Sequence, residues 1–186
     1  MMAKSFLKRI LVLGIFVFSS GLKAQNVDST FSHVGPSIST LYIGGVGPTI
    51  SSVSSCPDSI VAQIPANNWV YGVDISYAMT APAAGNGWMS EQYSYVTCRT
   101  TGLSETVISQ GTGNSSGTQT YNRTSVSIAN GLSVTGEIIF DMHAFRSWGG
   151  GACDSNTNRV DSGSWSITVS YGPAPTCFLP TAFSAS

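Results

Sequence analysis

From residue 69 to 79 the chain alternates large apolar with mostly small side chains: Trp69, Tyr71, Val73, Ile75, Tyr77 and Met79 against Val70, Gly72, Asp74, Ser76 and Ala78. Period-two alternation puts one set on a buried face and the other on the opposite face, which predicts a half-buried antiparallel strand. Residues 164–171 repeat the pattern more strictly, with Trp165, Ile167, Val169 and Tyr171 set against Ser164, Ser166, Thr168 and Ser170. Trp69, Tyr71, Trp165 and Tyr171 are therefore predicted core residues. Weaker strand patterns cover 40–44, 59–64, 89–98, 105–109, 119–129 and 134–146. Turn-forming clusters separate them: Pro82-Ala-Ala-Gly-Asn-Gly87, Gly111-Thr-Gly-Asn-Ser-Ser-Gly117, Asn130-Gly131 and Gly149-Gly-Gly151. About eight strands so spaced predict an all-β fold, a two-sheet antiparallel β-sandwich of jelly-roll type.

The first 24 residues obey a different rule. Lys4, Lys8 and Arg9 precede the apolar run Ile10-Leu-Val-Leu-Gly-Ile-Phe-Val-Phe18, and Ser19, Ser20, Gly21 and Ala24 follow. A basic start, a short apolar stretch and small residues at the end are the layout of a secretory signal peptide. The run is too short to cross a bilayer as a helix, which takes roughly 20 residues. Residues 25–38 are polar and irregular and are expected to form a flexible lead-in. The β-sandwich then covers 39–172, and Gly172-Pro-Ala-Pro-Thr176 stops the last strand and opens a linker over 173–186.

Removing the leader changes the charge balance. All four lysine or arginine residues within it leave, and the mature chain keeps Arg99, Arg123, Arg146 and Arg159 with no lysine. Nine acidic residues stay, for a formal charge of −5. Affinity for nucleic acid rests on Lys and Arg neutralising phosphates, so a nucleic-acid partner is excluded. An anionic membrane surface is excluded on the same ground, and no membrane insertion is expected once the leader is gone.

Several strings carry a family resemblance: Met89-Ser-Glu-Gln-Tyr-Ser-Tyr-Val-Thr-Cys98, Tyr121-Asn-Arg-Thr124, Ile128-Ala-Asn-Gly131, Phe140-Asp-Met-His-Ala-Phe-Arg-Ser-Trp-Gly-Gly150 and Gly163-Ser-Trp-Ser-Ile-Thr-Val-Ser-Tyr171. Over about residues 40–172 the chain resembles secreted β-sandwich modules of extracellular multi-domain proteins of Bacteroidetes-type bacteria. The closing segment 177–186 resembles the first strand of a fibronectin type III domain. Together these imply a secreted or cell-surface location and covalently linked downstream domains. No catalytic role transfers from that resemblance.

An exported chain is expected to oxidise Cys56, Cys98, Cys153 and Cys177, for which three pairings exist. The arrangement favoured from chain position is Cys98–Cys153 with Cys56–Cys177, the second tying the entrance of the domain to its exit. Oxidation argues against a catalytic thiol, and the lack of a Cys-x-x-Cys pair argues against zinc.

Candidate chemistry is sparse. Asp141, His143 and Phe145 share one face of a strand, where a carboxylate and an imidazole could chelate a metal or act as base and orienter. The other histidine, His33, lies in the lead-in, so a hydrogen-bonded structural histidine is the stronger reading. Asp154, Asn156, Asn158 and Asp161 are oxygen donors at alternating spacing, the hard set calcium prefers, so a structural calcium ion is a candidate cofactor. The alternative is a polar turn in which Asp and Asn cap backbone groups. Glu91, Glu105 and Glu137 raise glycoside hydrolysis, which needs two carboxyls roughly 5–10 Å apart across a cleft. With arginines so few, partly buried pairing of Arg99, Arg123 or Arg146 with Glu91 or Glu105 is expected. Asn114 and Asn122 fit N-glycosylation sequons, and Asp28-Ser-Thr30 and Asp58-Ser-Ile60 resemble O-glycan acceptors.

Aromatic residues carry the remaining signal. Trp88 and Trp148 sit in glycine-rich loops, with Tyr93 and Tyr95 nearby in the sequence. Sugar rings stack on aromatic platforms while polar side chains take their hydroxyls, so Trp88, Tyr93 and Trp148 are the candidate ligand-binding residues. Plugging the ends of the fold is their structural alternative. The expected function is a non-catalytic binding or spacer module of a larger secreted protein, with a glycan or cell-surface ligand. A purely structural or adhesive domain, or the accessory domain of a secreted hydrolase, are the alternatives.

Overall fold

The β-strand periodicity is realised along most of the chain. The computed structural model describes residues 25–44, 47–134 and 136–175. Within them lie β1 (Val27–Ser32), β2 (Ile38–Tyr42), β3 (Asp58–Gln63), β4 (Trp69–Ala81), β5 (Gln92–Cys98), β6 (Leu103–Ser104), β7 (Ser109–Gln110), β8 (Gly117–Val126), β9 (Glu137–Arg146), β10 (Cys153–Val160) and β11 (Ser166–Gly172). Three single-turn 3-10 segments, Ala83–Gly85, Met89–Glu91 and Ser127–Ala129, are the only helical elements among the described residues. The expected leader over 1–24 and the segment 176–186, with Cys177 and the expected fibronectin-like strand, lie outside them.

Instead of two separate sheets of about eight strands, the eleven strands form one connected ladder, ordered β1-β11-β4-β10-β2-β9-β5-β6. β8 pairs with β4, β3 with β9, and β7 with β5. The order has two arms, β8-β4-β11-β1 and β3-β9-β5 with β6 and β7. They join because Arg159 and Val160 of β10 pair both with Thr80 and Met79 of β4 and with Ser39 and Ile38 of β2. β2 in turn runs parallel to the end of β9 through Leu41 and Tyr42. The short β2 and β10 carry hydrogen bonding across the join, where the sequence pattern implied a break.

Both arms contribute to one hydrophobic cluster. Val73, Ile75, Tyr77 and Met79 of β4 and Ile167 and Val169 of β11 join Ile60 of β3, Val96 of β5 and Phe140 and Met142 of β9. Trp165 is fully buried in it. At roughly 1.5–3 kcal/mol for each large apolar side chain removed from water, this cluster is the main favourable term of the fold.

The alternation of β4 slips where the pairing slips. Ser170 faces Gly72 but Tyr171 faces Val70, so Tyr71 is left as the extra residue of a bulge. Tyr71 is consequently exposed and Val70 buried, correcting the expectation that Tyr71 is core. Its hydroxyl donates to the Pro173 carbonyl at the exit of the domain. Trp69 is half-buried, and Tyr171 packs on the edge of the cluster.

The expected lead-in is also corrected. Residues 27–32 pair with β11 along their whole length, from Val27 opposite Tyr171 to Ser32 opposite Ser166. Phe31 packs against the core, and the buried His33 stacks on Trp165 and meets Asp58 at 2.9 Å. A strand with a single large apolar anchor leaves too faint an alternation to be read.

The disulfide joins Cys56 to Cys153, with a Cα–Cα distance of 5.9 Å, in place of both expected pairings. Cys98 closes β5 opposite Phe140 at the start of β9, whereas Cys153 lies beside Leu41, whose other neighbour is Phe145 near the end of β9. The two cysteines therefore sit at opposite ends of β9, and Cys98 is a buried free thiol in the core. The bond spans 97 residues and fastens the β2–β3 connection to β10. Bonds over such spans stabilise by about 2–4 kcal/mol. Peptide mapping of the oxidised protein should recover Cys56–Cys153, with Cys98 alkylated only in denaturant. Recovery of Cys98–Cys153 would contradict the fold.

Candidate functional site

The local feature that organises the polar end of the molecule is a wide bulge in β10. Asp154 and Arg159 pair with the consecutive residues Thr40 and Ser39, so residues 155–158 stand out from the ladder. Asp154 shapes the excursion as an Asx-type turn. Its Oδ1 accepts from the backbone and side-chain amides of Asn156, both at 2.9 Å, and its Oδ2 from the amide and hydroxyl of Thr157 at 3.1 and 2.9 Å. These bonds favour the ionised carboxylate and hold its pKa below the ordinary value, against a desolvation effect that acts the other way. The Thr40 hydroxyl lies at the neck, 2.7 Å from the Asn158 carbonyl and 3.2 Å from that of Asp154.

Two loops lean on this bulge. In the β4–β5 connection, a Cβ on Gly85 would lie 2.1 Å from the Asn156 carbonyl oxygen, so only glycine allows the approach. The next turn then carries Trp88, whose amide donates to Glu91 Oε2 at 2.8 Å. In the β9–β10 connection, Gly149 has φ +89° and faces Thr157, where a Cβ would meet Oγ1 at 2.9 Å. The preceding residue is Trp148. Gln92 pairs with Arg146 across β5 and β9, and the Ser147 amide donates to the Glu91 carbonyl at 3.1 Å. That register brings the two tryptophans together.

The result is a cleft of about 380 Å³ lined by Asn86, Trp88, Glu91 and Trp148. The two indoles are 47% and 54% exposed, unlike the core Trp165 at 0%. Of the three expected ligand-binding residues, Trp88 and Trp148 meet at the cleft. Tyr93 is half-buried, lies against Gly47 and accepts a bond from Gln110, so it does not line the cleft. Tyr95 is buried and donates to the Ser52 carbonyl.

Beneath the Trp148 loop lies a residue whose role has no local sequence signal. Arg146 is 1% exposed and has no carboxylate partner among the described residues. Its Nη1 donates to the Thr40 carbonyl, and its Nη2 to the carbonyls of Gly150 at 2.6 Å and Ala152 at 3.0 Å. Burial pushes its pKa down from the ordinary arginine value, while Asp154 acts the other way. A neighbouring buried cluster continues from the bulge: Gln92 donates to Asn158 Oδ1 and accepts from the Tyr121 hydroxyl, each at 3.1 Å.

The four expected calcium donors are committed differently. Asp154 and Asn156 bond each other, Asn158 points to Gln92, and Asp161 accepts from the Thr80 hydroxyl at 2.6 Å. Among the described residues no three His, Cys, Asp or Glu side chains gather as metal ligands. The glutamates are likewise dispersed. Glu91 lines the cleft, Glu137 accepts from Gln63, and Glu105 pairs with Arg123 through two bonds of 2.5 and 2.9 Å. The Glu105–Arg123 pair fulfils the expected pairing, while Arg99 binds Asp141 at 2.6 and 2.9 Å instead. Arg123 also lies over the Tyr77 ring and bonds its hydroxyl. The serines of the two strings that resemble O-glycan acceptors are both hydrogen-bonded, Ser29 with Tyr171 and Ser59 with Asp141.

Asp141, His143 and Phe145 do share the outer face of β9, under the β2–β3 connection. His143 Nδ1 accepts from the Ser54 amide at 3.3 Å, so in the neutral ring Nε2–H donates to Thr97 at 3.2 Å. The ring stacks on Tyr95 at 4.9 Å. Burial lowers the His143 pKa from 6.5, opposed by Asp141.

No protein-family model matches the chain, and no curated protein matches it. Among solved structures, the chain is similar to dimeric latent PorU from Porphyromonas gingivalis, with a TM-score of 0.44 and 11% identity. The match covers 81% of this chain and 13% of the PorU chain. No helix among the described residues is long and apolar enough to cross a membrane. The chain belongs to the all-β class, and its distinctive surface feature is the paired-tryptophan cleft.

Two outcomes test this geometry. Arg146→Leu removes one buried bond, to the Thr40 carbonyl, and the part-buried bonds to Gly150 and Ala152, and should cost about 1–3 kcal/mol, the penalty for one buried orphan, with faster amide exchange over 147–153. Unchanged stability and exchange would refute the clamp. For His143, the folded pKa lies below the unfolded value, so the unfolded state binds more protons below about pH 6.5. Its contribution is complete above that pH and is lost as the pH falls toward the folded pKa. Comparing denaturant midpoints of the wild type and His143→Gln, the wild type should lose more stability between pH 7 and pH 5.

Proposed function

We propose that this chain is a non-catalytic extracellular module that binds carbohydrate in the Trp88–Trp148 cleft. It acts as part of a larger secreted or cell-surface protein, and residues 1–24 serve as its export signal. The two arms of the ladder are proposed to act as the layers of a jelly-roll-like sandwich. One observation carries the reading: two half-exposed indoles on separate loops frame one cleft, with the Asn86 amide and the Glu91 carboxylate beside them.

Keeping two such rings in water forgoes apolar burial that the fold could have used. Glycine approaches, a hydrogen-bonded bulge and a buried arginine support the loops on which they stand. That combination suits a saccharide, whose C–H face stacks on an aromatic ring while its hydroxyls take nearby polar groups. A rigid aromatic anchor also spends little entropy on binding.

Calorimetry of the mature protein against a polysaccharide panel tests the proposal, with Trp88→Ala and Trp148→Ala as controls. Both side chains are exposed, so the variants should keep the wild-type melting temperature. Binding to at least one glycan, weakened about tenfold or more in each variant, is the expected result, equivalent to about 1.4 kcal/mol. Heat with no glycan, or binding indifferent to both substitutions, would favour a spacer role instead. Repeating the titration with a chelator separates a calcium-dependent site from one built by protein groups alone.

A further inference from the structure

Resting on that carbohydrate reading, we infer that the saccharide unit seated between Trp88 and Trp148 carries a protonated amine, as in a glycan built of free amino sugars. Among the described residues that line the cleft, Glu91 is the one ionisable side chain and none is basic. Glu91 Oε2 is occupied by the Trp88 amide, and Oε1 has no hydrogen-bond partner among the described residues. The carboxylate is thus fixed in place with an oxygen left to offer.

The protein has little with which to neutralise it. After the leader the chain contains no lysine and four arginines. Arg99 grips Asp141 with two bonds, and Arg123 grips Glu105 with two more. Arg159 lies 3.4 Å from Asp161 and bonds the Ser155 carbonyl. Arg146 lies beneath the Trp148 loop, but its charge faces inward and is taken by the carbonyls of Thr40, Gly150 and Ala152. Among the described residues no basic side chain lines the cleft, so a cationic ligand meets no competing partner at Glu91.

The flanking indoles point to the same chemistry. The face of a tryptophan ring carries negative quadrupole density and attracts an ammonium group within about 6 Å of its centre. An amino sugar supplies the charge and the stacking face in one ring. An N-acetylated sugar keeps the stacking face and loses the charge. A uronic acid brings a second carboxylate against Glu91 and is disfavoured.

The test compares a glucosamine oligomer with its fully N-acetylated counterpart of equal length, by calorimetry at low ionic strength and at a pH where the amine is protonated. Wild type and Glu91→Gln are measured side by side. Glutamine keeps an oxygen to accept the Trp88 amide, so the turn is retained while the charge is removed. The expected result is at least tenfold tighter binding of the amine oligomer to the wild type, reduced by added salt and abolished as a preference in Glu91→Gln. Equal binding of the two oligomers, or tighter binding of the acetylated one, overturns the amine assignment while the carbohydrate reading stands. A preference that persists in Glu91→Gln overturns the role of the carboxylate. Binding of neither oligomer, with no response from any other glycan, overturns both.

Discussion

The bulge that lifts residues 155–158 out of β10 is the constraint on which the polar end of the molecule depends. A β-ladder with four extra residues on one strand needs their backbone groups satisfied elsewhere. Here Asp154 takes several amides, the Thr40 hydroxyl closes the neck, and Asn158 turns inward to Gln92. Once fixed, the bulge is a surface against which two glycine-containing loops can lie. The tryptophans follow from that support, not from any preference of their own for exposure.

Arg146 makes the arrangement costly to disturb. A buried guanidinium without a carboxylate is expensive to desolvate, and three carbonyl acceptors offset much of that cost. Those carbonyls belong to β2 and to the loop after Trp148, so a single side chain ties the connecting strands to the cleft wall. The hydrophobic cluster stabilises the fold as a whole, whereas this polar assembly determines the shape of one end.

Some of this was legible from residue order. Alternation in β4, and more strictly in β11, revealed the strands that cross the core, because one face of each is strongly apolar over most of its length. The loop tryptophans were recognisable because glycine and asparagine surround them. β1 was not recognisable, since Phe31 is its only large core anchor and hydrogen bonding to β11 supplies the rest. β10 was hidden for the opposite reason: the Asp-Ser-Asn-Thr-Asn run that shapes its bulge looks like a loop and like a cation site. Tyr71 follows local alternation and still lies outside the core, because a bulge set by its partner strand reverses the phase. The disulfide depended on which end of β9 each cysteine reached, a matter of sheet register that spacing along the chain does not encode.

On the proposed function, Trp88 and Trp148 act together as one ligand platform while the other two tryptophans serve the fold. Indole N–H resonances test it directly, since the chain has four tryptophans and each gives its own signal. Titration with a glucosamine oligomer should move the Trp88 and Trp148 signals together along one saturation curve and leave Trp69 and Trp165 in place. Movement of only one of the pair, of Trp69 or Trp165 alone, or of none would rule out a shared platform.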